Sequence, residues 1–171
     1  FSHPCQAVSD IFTLKEHFKK LEGLSISWFG DMNNVLYSFC QVCELIENMR
    51  VNIFTHKDIS KRNEERFNFK FTNIYHKVDK NIISNSDCIM TDVFSSMNDG
   101  KNDNASLLKP FQVDEELMSY TNKDAVFMHC LPANIGSEVT LAVLKSEKSI
   151  TIKQAYNRLV AQRGILKWLV S

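Results

Sequence analysis

At 171 residues, 44% of them hydrophobic and 23% charged, the chain has the bulk of one well-buried globular domain, or a little more than one. Twenty Lys and Arg balance twenty Asp and Glu, so net charge makes no case for nucleic acid or an anionic membrane as partner. No apolar run approaches the ~20 residues of a membrane span.

Five cysteines, an odd count at irregular spacing, fit a reducing compartment better than a disulfide framework. The chain opens on Phe1-Ser2-His3-Pro4 with neither a signal peptide nor an initiator Met, and the expectation is a fragment or a processed piece. Pro and Gly are sparse and there is no internal repeat. The only candidate for disorder, residues 98–104, is too short to link two domains.

Pro4 suits the first turn of a helix, where a missing N–H loses no bond. Ala7, Val8, Ile11, Phe12, Leu14, His17 and Phe18 then carry a helical apolar face to about Lys20. Residues 24–29 alternate as a strand, 30–34 form a turn, and 35–48 read as the next helix. A second strand (51–54) and a polar helix reaching 62–66 follow. Alternating Phe67, Phe69 and Phe71 read as a third strand. A short helix through Val78, Ile82 and Ile83 leads to a fourth strand, 88–91, and Asp92 opens a long loop. Residues 114–120 read as a helix and 125–128 as the fifth strand. Beyond it come a helix (139–144), a last strand or extended segment (149–152), and a helix over about 155–170. That helix has Leu159, Val160, Ile165, Leu166 and Leu169 on its apolar side and Arg158 in its first turn. A cation complements a helix N-terminus poorly, which points to an anionic partner.

Short strands alternating with helices predict an α/β fold, a Rossmann-like three-layer αβα domain with a mainly parallel central sheet. In such a sheet the loops leaving the carboxyl ends of the strands share one rim. Three of those loops carry unusual chemistry: 31–34, 92–97 and 129–132. The topology can bring all three to one crevice.

Each candidate residue also has a plainer reading. Cys130, behind His129 and just before Pro132, is a nucleophile, a metal ligand, a polar contact in a site, or simply a buried corner. Cys40 and Cys43 form a C-x-x-C pair inside a predicted helix with no second pair, which favours buried thiols over a zinc half-site. His3 and Gln6 lie one turn apart and can face one side of the first helix, as site residues or as surface and cap. Asp92 is a turn former or a site residue on the rim of Cys130. Residues 30–34 hold the position of a phosphate-binding turn with a single glycine, which argues against a dinucleotide. Asn34 there is first a helix N-cap and second a ligand contact.

Together these residues resemble the ornithine carbamoyltransferase family, in its ornithine-binding half, over nearly the whole chain. His3-Pro4-Cys5-Gln6 with Asp10 resembles the family's His-Pro-x-Gln helix, and residues 24–34 its strand ending in Gly-Asp-x-Asn-Asn. Asp92-Val93-Phe94-Ser95-Ser96-Met97 resembles its ornithine loop, His129-Cys130-Leu131-Pro132 its His-Cys-Leu-Pro signature, and Asn157-Arg158 the end of its Glu-Asn-Arg motif. Cys130 and Ser96-Met97 side with the ornithine branch over the aspartate branch.

The resemblance implies transfer of the carbamoyl group of carbamoyl phosphate to the δ-amine of L-ornithine, without metal or organic cofactor. Asn34, Asp92, Ser96 and Met97 would take the amino-acid end of ornithine. His3, Gln6, Cys130, Leu131 and Arg158 would take the carbamoyl phosphate side, with Cys130, Arg158 and His3 as the catalytic group. Cys130 would position substrate and handle protons without forming a covalent intermediate. Residues 1–171 would form the ornithine-binding domain, with the helix over about 155–170 turned toward a carbamoyl-phosphate domain absent from this sequence. The complete enzyme would be a homotrimer, cytoplasmic, or in the mitochondrial matrix of a eukaryote. The family's Ser-Thr-Arg-Thr phosphate motif is absent, Asn98 replaces the glycine usual after Ser-Met, and Tyr156 replaces the glutamate usual before Asn-Arg. The alternatives are a non-catalytic module that kept the fold and a carbamoyltransferase for a related amine such as putrescine.

Overall fold

The computed structural model describes residues 2–94 and 104–171. Elements run α1 (Pro4–Phe18), β1 (Ser25–Phe29), α2 (Asn34–Cys43), β2 (Arg50–Phe54), α3 (Lys57–Asn63), β3 (Thr72–Tyr75), α4 (Lys80–Ser84) and β4 (Cys88–Thr91). They continue with α5 (Ala105–Leu108), a 3-10 turn (Lys109–Phe111), α6 (Glu115–Ser119), β5 (Val126–His129), α7 (Leu141–Leu144) and α8 (Thr151–Leu169). The five strands form one parallel sheet in the order β3-β2-β1-β4-β5. All of β4 and β5 is buried, as is β1 beyond its first residue, as expected of strands covered on both faces. Parallel crossovers run to either side of β1, and the right-handed rule for such connections then puts helices on both faces of the sheet.

The strand order reverses between β1 and β4. That is the switch point where an open parallel sheet has a crevice at its carboxyl edge. Register makes the edge level: Phe29 pairs with Thr91, and Thr91 with His129. Gly30, Asp92 and Cys130 therefore leave three adjacent strands side by side, with Asp92 in the middle. On the other side of β1, Phe29 stacks on Phe54 at 4.6 Å and Phe54 on Tyr75 at 5.1 Å. This aromatic ladder packs the same end of the sheet.

Four expectations change. The third strand is Thr72–Tyr75, not the Phe67-Phe69-Phe71 alternation. Phe67 and Phe69 instead pack around Tyr37 of α2, at 5.8 and 5.6 Å, with the Arg66 guanidinium 4.3 Å over the Tyr37 ring. The true β3 is a half-exposed edge strand, so its sequence shows no strong alternation. Helix α2 stops at Cys43, because Leu45 and Ile46 donate to Val42 and Cys43 in tight turns. Only Ser149 of the expected last strand pairs, in an isolated bridge to Phe127, before α8 starts at Thr151. Arg158 consequently sits in the third turn of α8 and not the first.

The expected apolar side of α8 is also overturned. Its buried residues are the polar Thr151, Gln154 and Asn157, while Leu159, Leu166 and Leu169 are each more than half exposed. The polar face meets α1, whose own buried residues include Gln6, Ser9, Asp10 and Thr13. Asn157 donates to Thr13 Oγ1 at 3.1 Å and to Glu16 Oε2 at 2.7 Å. Among the described residues no helix is long and apolar enough to cross a membrane.

Gly30 is where the chain needs a glycine. Its φ is +131°, and a Cβ there would stand 2.9 Å from Phe94 Cε1. Phe94 is buried and follows Asp92 by two residues, so Gly30 lets the β4 loop lie against the β1 loop. Gly30→Ala should lower the unfolding free energy of the chain by about 1–3 kcal/mol. Urea denaturation measures this, and an unchanged midpoint would contradict the packing described.

Candidate active site

Asp92 is the hub of the carboxyl edge. It is 7% exposed. Asn33 Nδ2, from the β1 loop, donates to its Oδ2 at 2.8 Å. The Cys130 thiol, from the β5 loop, donates to its Oδ1 at 3.2 Å. Asn33 can aim its amide because its own Oδ1 is fixed as the N-cap of α2, accepting from the Val35 and Leu36 N–H groups at 3.0 Å. Burial, and next the charge of Asp92, push the Cys130 thiol well above the ordinary thiol range. Cys130 is therefore a protonated donor, which disfavours a thiolate nucleophile.

The turn after β5 is built on His129. Its Nδ1 accepts from the Leu131 N–H at 2.9 Å, and its Nε2 faces Glu138 Oε1 at 3.2 Å. Both partners are fully buried. With Nδ1 accepting, the ring proton sits on Nε2 and is donated to Glu138. The ring holds Leu131 at φ +55°, ahead of a cis Leu131–Pro132 peptide. Left-handed backbone costs a leucine on the order of 1 kcal/mol and persists only where surroundings over-determine it; here His129 and Glu138 do so. Asp92, His129 and Cys130 bring three potential metal-ligand atoms within 4.8 Å. The set does not fit a metal as it stands, since both imidazole nitrogens are engaged and the thiol keeps its proton.

A second cluster joins α1 to α8. Asp10, fully buried, accepts on one oxygen from Gln6 Nε2 at 2.8 Å and from Gln154 Nε2 at 2.7 Å. The Gln6 Oε1 takes a bond from Arg158 Nη1 at 2.9 Å, and the Gln154 Oε1 takes the His129 N–H at 2.9 Å. Burial raises the Asp10 carboxyl from 3.8 to about 7, against the two amide bonds, which lower it.

Of the residues expected from sequence, Asp92 and Cys130 meet directly, and Gln6 meets Arg158. Leu131 lies in the turn next to Cys130. His3 is half-buried at the N-terminus of α1, where its N–H donates to Ser38 Oγ. Asn34 is the first residue of α2 and half-buried; the cap is Asn33. Ser96, Met97 and Asn98 lie outside the described residues. Cys40 and Cys43 are buried in α2, and burial raises both thiols. Sequence reading missed Asn33, Gln154 and Glu138. The signal for Gln154 was its spacing of four from Arg158, concealed by starting α8 too late.

Comparison with known proteins shows the family of the chain. Residues 22–169 match the model of the aspartate/ornithine carbamoyltransferase Asp/Orn binding domain. An ornithine carbamoyltransferase of Rhodopseudomonas palustris is 40% identical across 98% of this chain and 55% of its own length. One from Methanococcus aeolicus is 38% identical across 99% of the chain and 59% of its own length. The crystal structure of ornithine carbamoyltransferase from Thermus thermophilus superposes with a TM-score of 0.81 at 31% identity, over 99% of this chain and 56% of that one. The chain belongs to the aspartate/ornithine carbamoyltransferase family. It spans a little over half the length of these relatives.

The Asp10 carboxyl makes stability depend on pH. In the unfolded chain it titrates near 3.8 and in the fold near 7, so the folded state holds the proton more tightly. Its contribution favours folding fully below about pH 4 and is lost as pH rises toward 7, by on the order of 4 kcal/mol. Asp10→Asn should remove that loss. Urea unfolding from pH 4 to 8 should show the wild type weakening relative to the variant across this window, and parallel profiles would contradict it.

Proposed function

We propose that this chain is the ornithine-binding half of an ornithine carbamoyltransferase, which transfers the carbamoyl group of carbamoyl phosphate to the δ-amine of L-ornithine and releases L-citrulline and phosphate. The observation that carries the reading is the buried Asp92 carboxylate at the switch point, with one donor on each oxygen. Each oxygen keeps acceptor capacity, and an α-ammonium is a fitting third partner. The relatives and solved structures that share the fold carry the same name.

In this reading Asn34 joins Asp92 at the amino-acid end of ornithine, and the family resemblance adds Ser96 and Met97. Cys130 and the Leu131 carbonyl border the reacting amine. His3 and Arg158 polarise the carbamoyl oxygen as negative charge develops on it, and Gln6 holds the carbamoyl amide. The neutral δ-amine attacks the carbonyl carbon, and the carbon–oxygen bond to phosphate breaks. Phosphate leaves with the electron pair and takes up the proton that the nitrogen gives up. Holding both substrates in register is the larger part of the rate gain. The Cys130 thiol acts as a positioning donor, in keeping with its raised pKa.

We assign residues 1–171 to the ornithine-binding domain, with a carbamoyl-phosphate domain contributed by sequence outside them. The exposed Ile152, Tyr156, Leu159 and Leu166, which share one side of α8, form an apolar surface suited to that domain. The complete protein is read as a homotrimer of the cytoplasm or mitochondrial matrix, serving arginine metabolism. Putrescine keeps an ammonium at the position of ornithine's α-ammonium and lacks only the α-carboxylate, so ornithine ranks above it through the Asn34 amide, a donor for that carboxylate, and the family resemblance of Ser96-Met97.

In the complete protein that carries this chain, Asp92→Ala should cut kcat/KM for ornithine by about 100-fold or more, since it removes a buried partner of a charge. Steady-state citrulline formation measures this, and unchanged kinetics would overturn the assignment. The isolated chain should form no citrulline.

A further inference from the structure

We propose that Asp10 is a positioning residue for carbamoyl transfer: from one buried oxygen it orients two glutamine amides, and through them the Arg158 guanidinium and the backbone that carries Cys130. The proposal rests on the carbamoyltransferase reading and adds a residue to it. The four side chains form an open hydrogen-bonded chain across two packed helices, in the order Arg158, Gln6, Asp10, Gln154. Gln6 and Asp10 are one turn apart on α1, Gln154 and Arg158 one turn apart on α8. The rungs are Asp10 with Gln154 and Gln6 with Arg158.

An amide side chain is ambiguous by itself, because its oxygen and nitrogen have the same shape. Asp10 removes the ambiguity. Its Oδ1 accepts from both nitrogens, so both amide oxygens must point away from it. The Gln6 oxygen then meets Arg158, which has donors only; a flipped Gln6 would set donor against donor. The Gln154 oxygen meets the His129 N–H, one residue before Cys130. This bond ties the carboxyl end of β5 to α8.

The position is a costly one for a carboxyl. Asp10 is fully buried, and its second oxygen has no partner among the described residues. A leucine there would avoid that cost and would join the apolar Ala7 and Leu14 on the buried side of α1. What leucine cannot supply is one acceptor that aims two donors. The carboxyl is therefore explained by orientation and not by packing.

Two variants separate the possibilities. Asp10→Asn keeps an oxygen at the same place, and Asp10→Leu keeps the volume without an acceptor. In the complete protein, Asp10→Leu should lower kcat by about 100-fold, the scale of a misplaced catalytic group, with the KM for ornithine within about threefold. Asp10→Asn should recover most of that loss. In the chain described here, hydrogen exchange at the His129 amide should quicken by roughly tenfold or more in Asp10→Leu, as expected for a lost acceptor. Asp10→Asn should leave it protected, and Met128 should serve as the unaffected neighbour. Should Asp10→Leu fail to fold, Gln154→Leu tests the same arm and should expose the His129 amide alone. Wild-type kcat in Asp10→Leu, an unchanged His129 exchange rate in the leucine variants, or an Asn variant as impaired as the Leu variant would each overturn the proposal. A complete wild-type protein that forms no citrulline would refute the carbamoyltransferase reading, while the exchange measurements would still decide the role of Asp10.

Discussion

The constraint on which the site depends is the level register of β1, β4 and β5. Because Phe29, Thr91 and His129 pair in line, the next residue of the middle strand, Asp92, emerges between two loops. It takes one donor from each, Asn33 on one side and Cys130 on the other. A one-residue slip of β4 would turn the Asp92 side chain to the opposite face of the sheet and part all three loops. Close packing of Gly30 against Phe94 and the Thr91 hydroxyl bond to the Phe29 carbonyl, at 2.6 Å, guard that register. Sheet geometry and site chemistry are here the same fact.

A second layer lies behind the first, and it is polar where a structural interior is usually apolar. The α1–α8 interface buries Gln6, Asp10, Thr13, Gln154 and Asn157, with hydrogen bonds running from Thr13 and Glu16 to Arg158 and the His129 backbone. Such an interface contributes less hydrophobic stabilisation than an apolar one of equal area. It does specify direction, because each amide and carboxyl accepts only complementary partners. The His129–Glu138 pair does the same for the turn that presents Cys130. The molecule gives up stability at these positions and gains fixed orientations around the crevice.

Much of this was legible in the sequence, for physical reasons that also explain the rest. Strands β1, β4 and β5 are buried on both faces, so their apolar runs stand out, and the rim on which 31–34, Asp92 and 129–132 meet follows from the alternation of strands and helices alone. Strand β3 is a half-exposed edge with a faint pattern, and the nearby phenylalanines, which pack on Tyr37, offered a stronger but false one. Helix α8 inverts the usual rule by burying a polar stripe, so hydrophobic periodicity chose the wrong face. Starting it four residues late put Arg158 at a helix N-terminus, where it suggested an anionic partner; within the fold the guanidinium meets the Gln6 oxygen. In Asn33-Asn34 the two neighbours are chemically identical, and only the backbone decides that the first caps α2 and reaches Asp92.

The most direct test of this arrangement is the titration of the Cys130 thiol, read as the pH dependence of its alkylation rate by mass spectrometry. In the wild type Cys130 should stay unreactive through pH 9, held protonated by burial and by the Asp92 carboxylate. In Asp92→Asn, which removes the charge, its reactivity should move to lower pH. A wild-type Cys130 that titrates like a free thiol near 9, or a profile that Asp92→Asn leaves in place, would contradict an Asp92-centred site.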